Sequence, residues 1–155
     1  MQEIERKFLV ISARYKEEAI DATTIVQGFL KTAPERTVRV RIYGDKGFLT
    51  VKGKSSASGT TRFEWEKEIS VKEAEQLMAL CEKHSIEKVR YRVQVGNHIF
   101  EVDEFLGNNK GLTVAEIELQ DENESFKKPD WLGQEVTGVA KYYNSQLSKM
   151  PYTMW

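Results

Sequence analysis

The sequence has little that would cross-link, anchor or export a chain. Its 155 residues include one cysteine and three prolines. A lone cysteine, Cys81, forms no internal disulfide and is typical of a reducing compartment. Apolar runs are only a few residues long, which excludes a membrane-spanning helix, and the residues after Met1 are polar, unlike a secretory signal. We therefore expect a cytoplasmic protein.

The charges nearly cancel, so no excess of one sign points to a partner. There are 23 basic and 24 acidic residues, a net charge of −1, and 30% of the chain is charged, against a usual share of about 25%. This balance argues against a general nucleic-acid binder, and a hydrophobic fraction of 40% excludes intrinsic disorder. The length predicts a single domain over residues 1–155.

Most of the chain alternates apolar and polar residues with the period of β-strands. Turn signals at residues 44–47 and 96–97 join neighbouring strands as hairpins, which makes the pairing antiparallel. The predicted fold is α+β and mainly β, with strands at 2–10, 24–31, 37–43, 48–54, 61–69, 87–95, 98–105 and 114–120.

Two helices are predicted among these strands. Ser70 and Glu73 form a capping-box pattern, and an apolar stripe follows as far as Cys81. A second helix is predicted from about residue 135 or 137 to residue 149. A short helical turn is expected around residues 16–20.

Charged side chains share one face of nearly every predicted strand, because successive strand residues point to opposite faces. Within a strand the same sign repeats at alternate positions, as in Glu3 and Glu5, or Arg39 and Arg41. A solvated face is the ordinary explanation of polar alternation, but it usually mixes both signs and uncharged residues. Repeated like charges are costly unless opposite charges lie among them.

Both kinds of charge on one face suit a phosphorylated ligand and a metal. Converging Lys and Arg side chains match the oxygens of a polyanion, and converging carboxylates match a hard divalent cation. The corresponding chemistry is phosphoanhydride hydrolysis or transfer, with Mg²⁺ or Mn²⁺ lowering the pKa of a bound water and a carboxylate accepting its proton. A glycine-rich phosphate loop is absent, and His84 and His98 lie near no cysteine pair, which argues against zinc.

The order of these motifs resembles a known family. The N-terminal strand Glu3-Ile4-Glu5-Arg6-Lys7 is similar to the E-x-E-x-K signature of the CYTH, or triphosphate tunnel metalloenzyme, superfamily. The R-x-R, R-x-E-x-E and K-x-R patterns follow at Arg39, Arg62 and Lys88, and acidic pairs follow at Glu101 and Glu116. The resemblance covers residues 3 to about 147 and points to the small bacterial branch. It implies an eight-stranded antiparallel β-barrel, a tunnel with a charged lumen.

The resemblance also implies roles for particular residues. The implied triphosphate-binding residues are Lys7, Arg39, Arg41, Lys52, Lys88, Arg90 and, from the C-terminal helix, Lys141. The implied ligands of Mg²⁺ or Mn²⁺ are Glu3, Glu5, Glu116, Glu118 and Asp103. Catalysis is expected from Lys7, Glu5, Glu64 and Glu66, and related small members suggest a homodimer.

One position departs from the family pattern. Relatives often have tyrosine where this chain has Phe29, after Gln27 and Gly28. That tyrosine is proposed to pair with the lysine that matches Lys7, and Phe29 has no hydroxyl with which to do so. The departure puts this pairing in doubt but leaves metal-assisted hydrolysis intact.

The leading hypothesis is a divalent-metal-dependent hydrolase of triphosphates, with inorganic tripolyphosphate as the expected substrate. The alternatives are a phosphate-metabolite binding or sensing protein with weak or no turnover, and a class IV-type adenylyl cyclase. A nucleic-acid or membrane partner has no comparable basis, because carboxylates accompany the basic residues and would repel a phosphate backbone.

Overall fold

Nine antiparallel strands account for nearly half of the described residues. The structure is a computed structural model that describes residues 2–155. The strands are β1 (Gln2–Val10), β2 (Ala19–Leu30), β3 (Thr37–Tyr43), β4 (Lys46–Lys52), β5 (Thr61–Ile69), β6 (Ile86–Val95), β7 (His98–Phe105), β8 (Thr113–Glu118) and β9 (Leu132–Glu135). The helices are α1 (Tyr15–Glu18), α2 (Val71–Met78) and α3 (Asn144–Leu147), with 3₁₀ turns at Gly107–Asn109, Ala140–Tyr142 and Tyr152–Met154.

Eight of the strands close into a barrel. Their order is β5-β4-β3-β2-β6-β7-β8-β1, and β1 pairs back onto β5 through Gln2–Ile4 and Thr61–Phe63. The predicted eight-stranded antiparallel barrel is therefore confirmed. The ninth strand, β9, pairs with the C-terminal half of β1, where Phe8 faces Glu135 and Val10 faces Leu132. It covers the stretch of β1 that the short β1–β5 contact leaves without a partner.

Local sequence signals determine the hairpins and α2. Gly44 and Gly96 begin two-residue turns with φ of 60° and 62°, the left-handed conformation that such turns require. The Ser70 hydroxyl accepts the Glu73 amide N–H, and the Glu73 carboxylate accepts the Ser70 N–H, which confirms the predicted capping box. Among residues 2–155, no helix has both the length and the apolarity to cross a membrane.

The predicted C-terminal helix is wrong. Residues up to 135 form β9, and Val136 donates its N–H to the carbonyl of Lys7 on β1. Gly138 then adopts φ 76°, a conformation incompatible with a continuing right-handed helix. Only the one-turn α3 follows, after the 3₁₀ turn. The long-range pairing with β1 overrides the helical periodicity of the segment.

Apolar side chains pack in two places. The larger cluster lies outside the barrel, where the segment of residues 119–131 brings Phe126 and Trp131 against Phe8, Phe100 and Ile117. The smaller cluster combines Phe29, Ile86, Phe105, Leu112 and Val114 with Leu147 of α3. Its strand residues occupy the same inward-facing positions as the charged residues of the lumen. The cluster therefore fills one end of the lumen.

Candidate active site in the barrel lumen

A charged cavity of about 300 Å³ occupies the lumen. It lies where residues of all eight barrel strands point inward. The sequence-predicted residues that line it are Glu3, Glu5, Lys7, Arg39, Arg41, Lys52, Glu64, Glu66, Lys88, Arg90, Glu116 and Glu118. The barrel thus brings together side chains that are up to 115 positions apart in the sequence.

Asp103 is not among the lining residues. Its side chain is buried behind Lys88 and Arg90: Lys88 Nζ lies 2.7 Å from Oδ2, and Arg90 donates to both oxygens at 2.8 and 2.9 Å. Burial alone would raise the pKa of Asp103, but Arg90 and Lys88 hold it below its usual value. In this arrangement Asp103 is paired with two lumen cations, Lys88 and Arg90, and does not line the cavity with the other implied metal ligands.

Lys141 is also outside the cavity. Its Nζ lies 4.4 Å from the centre of the Trp155 ring and 5.3 Å from that of Tyr142, distances typical of cation–π contacts. It belongs to the 3₁₀ turn before α3, because the helix expected to carry it does not form. Substrate binding by Lys141, as the resemblance implies, has no support in this arrangement.

Four acidic residues from β1 and β8 form the carboxylate cluster: Glu3, Glu5, Glu116 and Glu118. The strand register places Glu5 opposite Glu118 and Lys7 opposite Glu116. Burial, followed by the charges of Glu116 and Glu3, raises the pKa of Glu5 well above its usual value. Burial and a hydrogen bond with Glu64 raise the pKa of Glu3 to about 7, against the opposing effect of Lys52.

Glu116 behaves differently because cations face it. Burial would raise its pKa, but Lys7, a hydrogen bond from Glu5 and Arg90 hold the pKa well below the usual value. Burial and neighbouring carboxyl groups thus disfavour the charged form of Glu5, whereas neighbouring cations favour the charged form of Glu116.

The carboxylate cluster fits a divalent cation by its donor chemistry. Carboxylate oxygens are the ligands that hard cations prefer, and binding of a cation favours their deprotonated form. Among residues 2–155, no three acidic, histidine or cysteine side chains already converge as metal ligands do. Lys52 Nζ lies 3.0 Å from a Glu3 oxygen, so this ion pair would have to open for a cation to bind.

The opposite side of the cavity carries surplus positive charge. Burial, then the neighbouring guanidinium Arg90, lowers the pKa of Arg39, and burial with Arg39 and Arg90 lowers the pKa of Arg41 to about 10. Glu66 supplies part of the compensation, since one of its oxygens accepts from Arg41 Nη2 at 3.2 Å and from Thr50 Oγ1 at 2.6 Å. Burial also lowers the pKa of Lys88 to about 8, against the effect of Asp103.

Three arginines in this region have an unsatisfied donor. Within residues 2–155, the buried Nε of Arg39, Arg41 and Arg62 has no hydrogen-bond partner. All three side chains line the cavity, and buried polar groups in proteins are nearly always paired. Guanidinium groups gathered in one cavity suit an anion with many oxygens. Arg62 lies in the R-x-E-x-E pattern, and its alternation with Glu64 is the signal that could have marked it.

Lys7 lies where the two sides meet. Its Nζ lies 3.8 Å from a Glu116 oxygen and 3.3 Å from the carbonyl oxygen of Tyr142. The Tyr143 ring centre is 5.2 Å from the same nitrogen. Phe29 lines the cavity as well, so the phenol beside Lys7 belongs to Tyr143.

The C-terminal segment contributes residues that the sequence patterns missed. Tyr143, Asn144 and Ser145 all line the cavity. No periodicity or motif singles them out, because their position depends on how the segment folds back across the end of the barrel. The complete site thus combines strand residues with one C-terminal turn.

Comparison with known proteins agrees with this geometry. The CYTH domain model matches residues 1–153. An inorganic triphosphatase of Acetivibrio thermocellus is 52% identical over 152 residues, covering 97% of this chain and 96% of the relative. An inorganic triphosphatase of Nitrosomonas europaea is 36% identical over 152 residues, covering 96% of this chain and 97% of the relative.

A solved structure shares the fold at similar coverage. The crystal structure of the inorganic triphosphatase NE1496 superposes with a TM-score of 0.65 and 32% sequence identity. The match covers 94% of this chain and 93% of the other. The closed barrel is therefore shared along nearly the full length of both chains.

Proposed function

Because this chain belongs to the CYTH domain family, we propose that it hydrolyses inorganic tripolyphosphate with the help of a divalent cation, Mg²⁺ or Mn²⁺. The two relatives named inorganic triphosphatase cover nearly the whole chain at 52% and 36% identity. Their similarity supports the same reaction here, and the domain proposed to carry it is the whole chain, 1–155. A homodimer stays a prediction.

The observation that carries this proposal is the gathering of lysine and arginine side chains with the carboxylate cluster in one cavity. Arg39, Arg41 and Arg62 all line it. Charge-assisted hydrogen bonds from guanidinium to phosphate are strong and geometrically selective. A chain of phosphates would bind these cations, while the carboxylate cluster would hold the metal ion that accompanies it.

The cationic and the acidic residues of the cavity have different roles in the proposed reaction. Arg39, Arg41, Lys52, Lys88 and Arg90 neutralise phosphate oxygens and hold the chain in place. A bound divalent cation on the carboxylate cluster supplies charge neutralisation and a lowered pKa for water. In this proposal Lys7 would donate a proton to the leaving oxygen, and Glu64 would accept one from the attacking water. Glu66 positions the arginines through the contacts described above.

Phosphate release from tripolyphosphate tests the proposal. The purified protein is expected to release orthophosphate with Mg²⁺ or Mn²⁺ and to lose this activity in excess chelator. Glu5→Gln removes a carboxylate of the cluster, and we expect at least about a 100-fold lower kcat/KM. Glu17→Gln is the matched control, because Glu17 is exposed on α1, and it should retain the parent activity.

ATP serves as the second substrate in the same assay. Cyclic AMP formed from ATP in excess of phosphate released from tripolyphosphate would favour the cyclase alternative. Tight tripolyphosphate binding without turnover under either metal would favour a binding protein. Phosphate release by Glu5→Gln at the parent rate would contradict the proposed site.

A further inference from the structure

The C-terminal segment forms a cover over one end of the lumen. Leu147 of α3 is fully buried in the apolar cluster with Phe29, Ile86 and Phe105. This anchor fixes Asn144, which lies one turn earlier on the same helix and lines the charged cavity. The packing of Leu147 therefore fixes the position of Asn144.

Asn144 and Asp103 together orient the side chain of Lys88. The Lys88 side chain is 1% exposed, and its Nζ lies 2.7 Å from Asp103 Oδ2 and 3.0 Å from Asn144 Oδ1. An ammonium group has three N–H donors. Two fixed acceptors determine the direction of the third donor, and Lys88 lines the cavity. Asn144 thus helps to aim the Lys88 ammonium.

The side-chain oxygen of Asn144 accepts two hydrogen bonds. Oδ1 accepts from Lys88 Nζ and also from Gln27 Nε2 at 3.0 Å. Because Lys88 can only donate, its contact determines which arm of the Asn144 amide is the oxygen. Within residues 2–155, the amide nitrogen of Asn144 has no acceptor, although the residue lines the cavity. Its two N–H groups are therefore available to a ligand.

We propose that Asn144 is a substrate-binding residue that donates a side-chain N–H to a phosphate oxygen while its carbonyl oxygen aligns Lys88. This inference rests on the proposed function, since it names a further contact of the same triphosphate. It also makes the C-terminal segment part of the binding site. A carboxamide held by two donors on one arm offers only N–H groups on the other, which selects for an acceptor-rich anion.

The substitution Asn144→Asp separates the two roles of the side chain. A carboxylate keeps the acceptors for Lys88 and Gln27 but replaces the N–H donors with a second, negatively charged oxygen. Direct donation predicts a KM for tripolyphosphate about 10- to 100-fold higher, with a smaller change in kcat. An unchanged KM would overturn the proposal, because the added charge would then lie too far from the bound anion to repel it.

Gln146→Glu is the matched control. Gln146 is exposed on the same helix and outside the charged cavity, and the substitution adds the same single charge. We expect its KM to stay within about twofold of the parent. An equal rise in KM for both variants would assign the effect to long-range charge and overturn direct donation. Thermal unfolding checks that both variants fold.

Binding measured by calorimetry keeps this inference separate from the proposed reaction. If the parent binds tripolyphosphate without hydrolysing it, the hydrolase proposal fails. The dissociation constant of Asn144→Asp then decides the inference, with the same 10- to 100-fold weakening expected. If the parent does not bind tripolyphosphate with or without Mg²⁺, both proposals are overturned.

Discussion

Carboxylates in the lumen take different roles according to the charges that face them. Glu5 faces other carboxyl groups, and burial with their charges raises its pKa. Asp103 faces Lys88 and Arg90, which keep its pKa low despite burial. The charges around Glu5 are mainly negative, whereas Asp103 is already paired with two cations. Residue type alone therefore does not distinguish a metal ligand from a group that positions a cation.

The contribution of Asp103 to the free energy of unfolding tests this difference. Asp103→Asn removes the counter-charge of two buried cations, and we expect the free energy of unfolding to fall by about 3–5 kcal/mol. Urea titration measures the change. Asp21→Asn is the control, because Asp21 pairs with Arg92 where both side chains are more than a third exposed, and the loss there should be below about 1 kcal/mol. Equal losses would contradict the assignment of Asp103.

Sequence reasoning recognised the strand residues of the site because their alternation is local. Arg39 and Arg41 share a face in any strand, and closure of the sheet then made that face the lumen. Asn144 and Tyr143 carry no such signal, since their contacts with Lys88 and Lys7 span 56 and 136 positions of the sequence. Lys141 was assigned to the site only through a helix that does not exist.

Among the secondary-structure elements, local sequence rules predicted the hairpins correctly. They failed where a segment pairs with a strand that is distant in the sequence. β3, β5 and β7 have the predicted bounds, and Gly44 and Gly96 form the expected turns. β2 begins earlier than predicted, at Ala19, because its first residues pair with β6. β9 replaces the start of a predicted helix because β1 offers it an edge. No property of residues 132–135 alone indicates that edge.

The attachment of β9 to β1 has a pH-dependent component. Arg6 donates to both Glu135 oxygens, at 2.8 and 2.5 Å, and this hydrogen bonding lowers the pKa of Glu135. A lowered pKa in the folded state stabilises the protein above the unfolded pKa, and the stabilisation is lost as pH falls through the folded value. Glu135→Gln should therefore cost about 0.5–1 kcal/mol at pH 7, after allowance for solvent screening.

Urea titrations of the parent and Glu135→Gln at several pH values measure this effect. The difference between them should shrink as the pH falls below about 4.3, the usual pKa of Glu in an unfolded chain, and disappear once the pH is below the lowered folded-state pKa. A difference that stays constant down to the acid limit of the folded protein would show that packing, and not the ion pair, holds β9 in place.

For the molecule as a whole, the net charge of −1 conceals a concentration of charge in the lumen. The closed barrel gathers carboxylates and guanidinium and ammonium groups from its strands in one cavity. Burial makes these groups shift one another's pKa values. A near-neutral total is thus compatible with a site for a highly charged anion and its cation.

The central claim is that triphosphate and divalent cation bind together in this cavity. A crystal structure with Mn²⁺ and a non-hydrolysable tripolyphosphate analogue, read from anomalous difference density, tests it most directly. We predict a manganese peak at the carboxylate cluster and phosphate oxygens within hydrogen-bond distance of Arg39, Arg41 and Arg62. Manganese and analogue bound on the outer surface, with the lumen arginines still unpaired, would contradict the account.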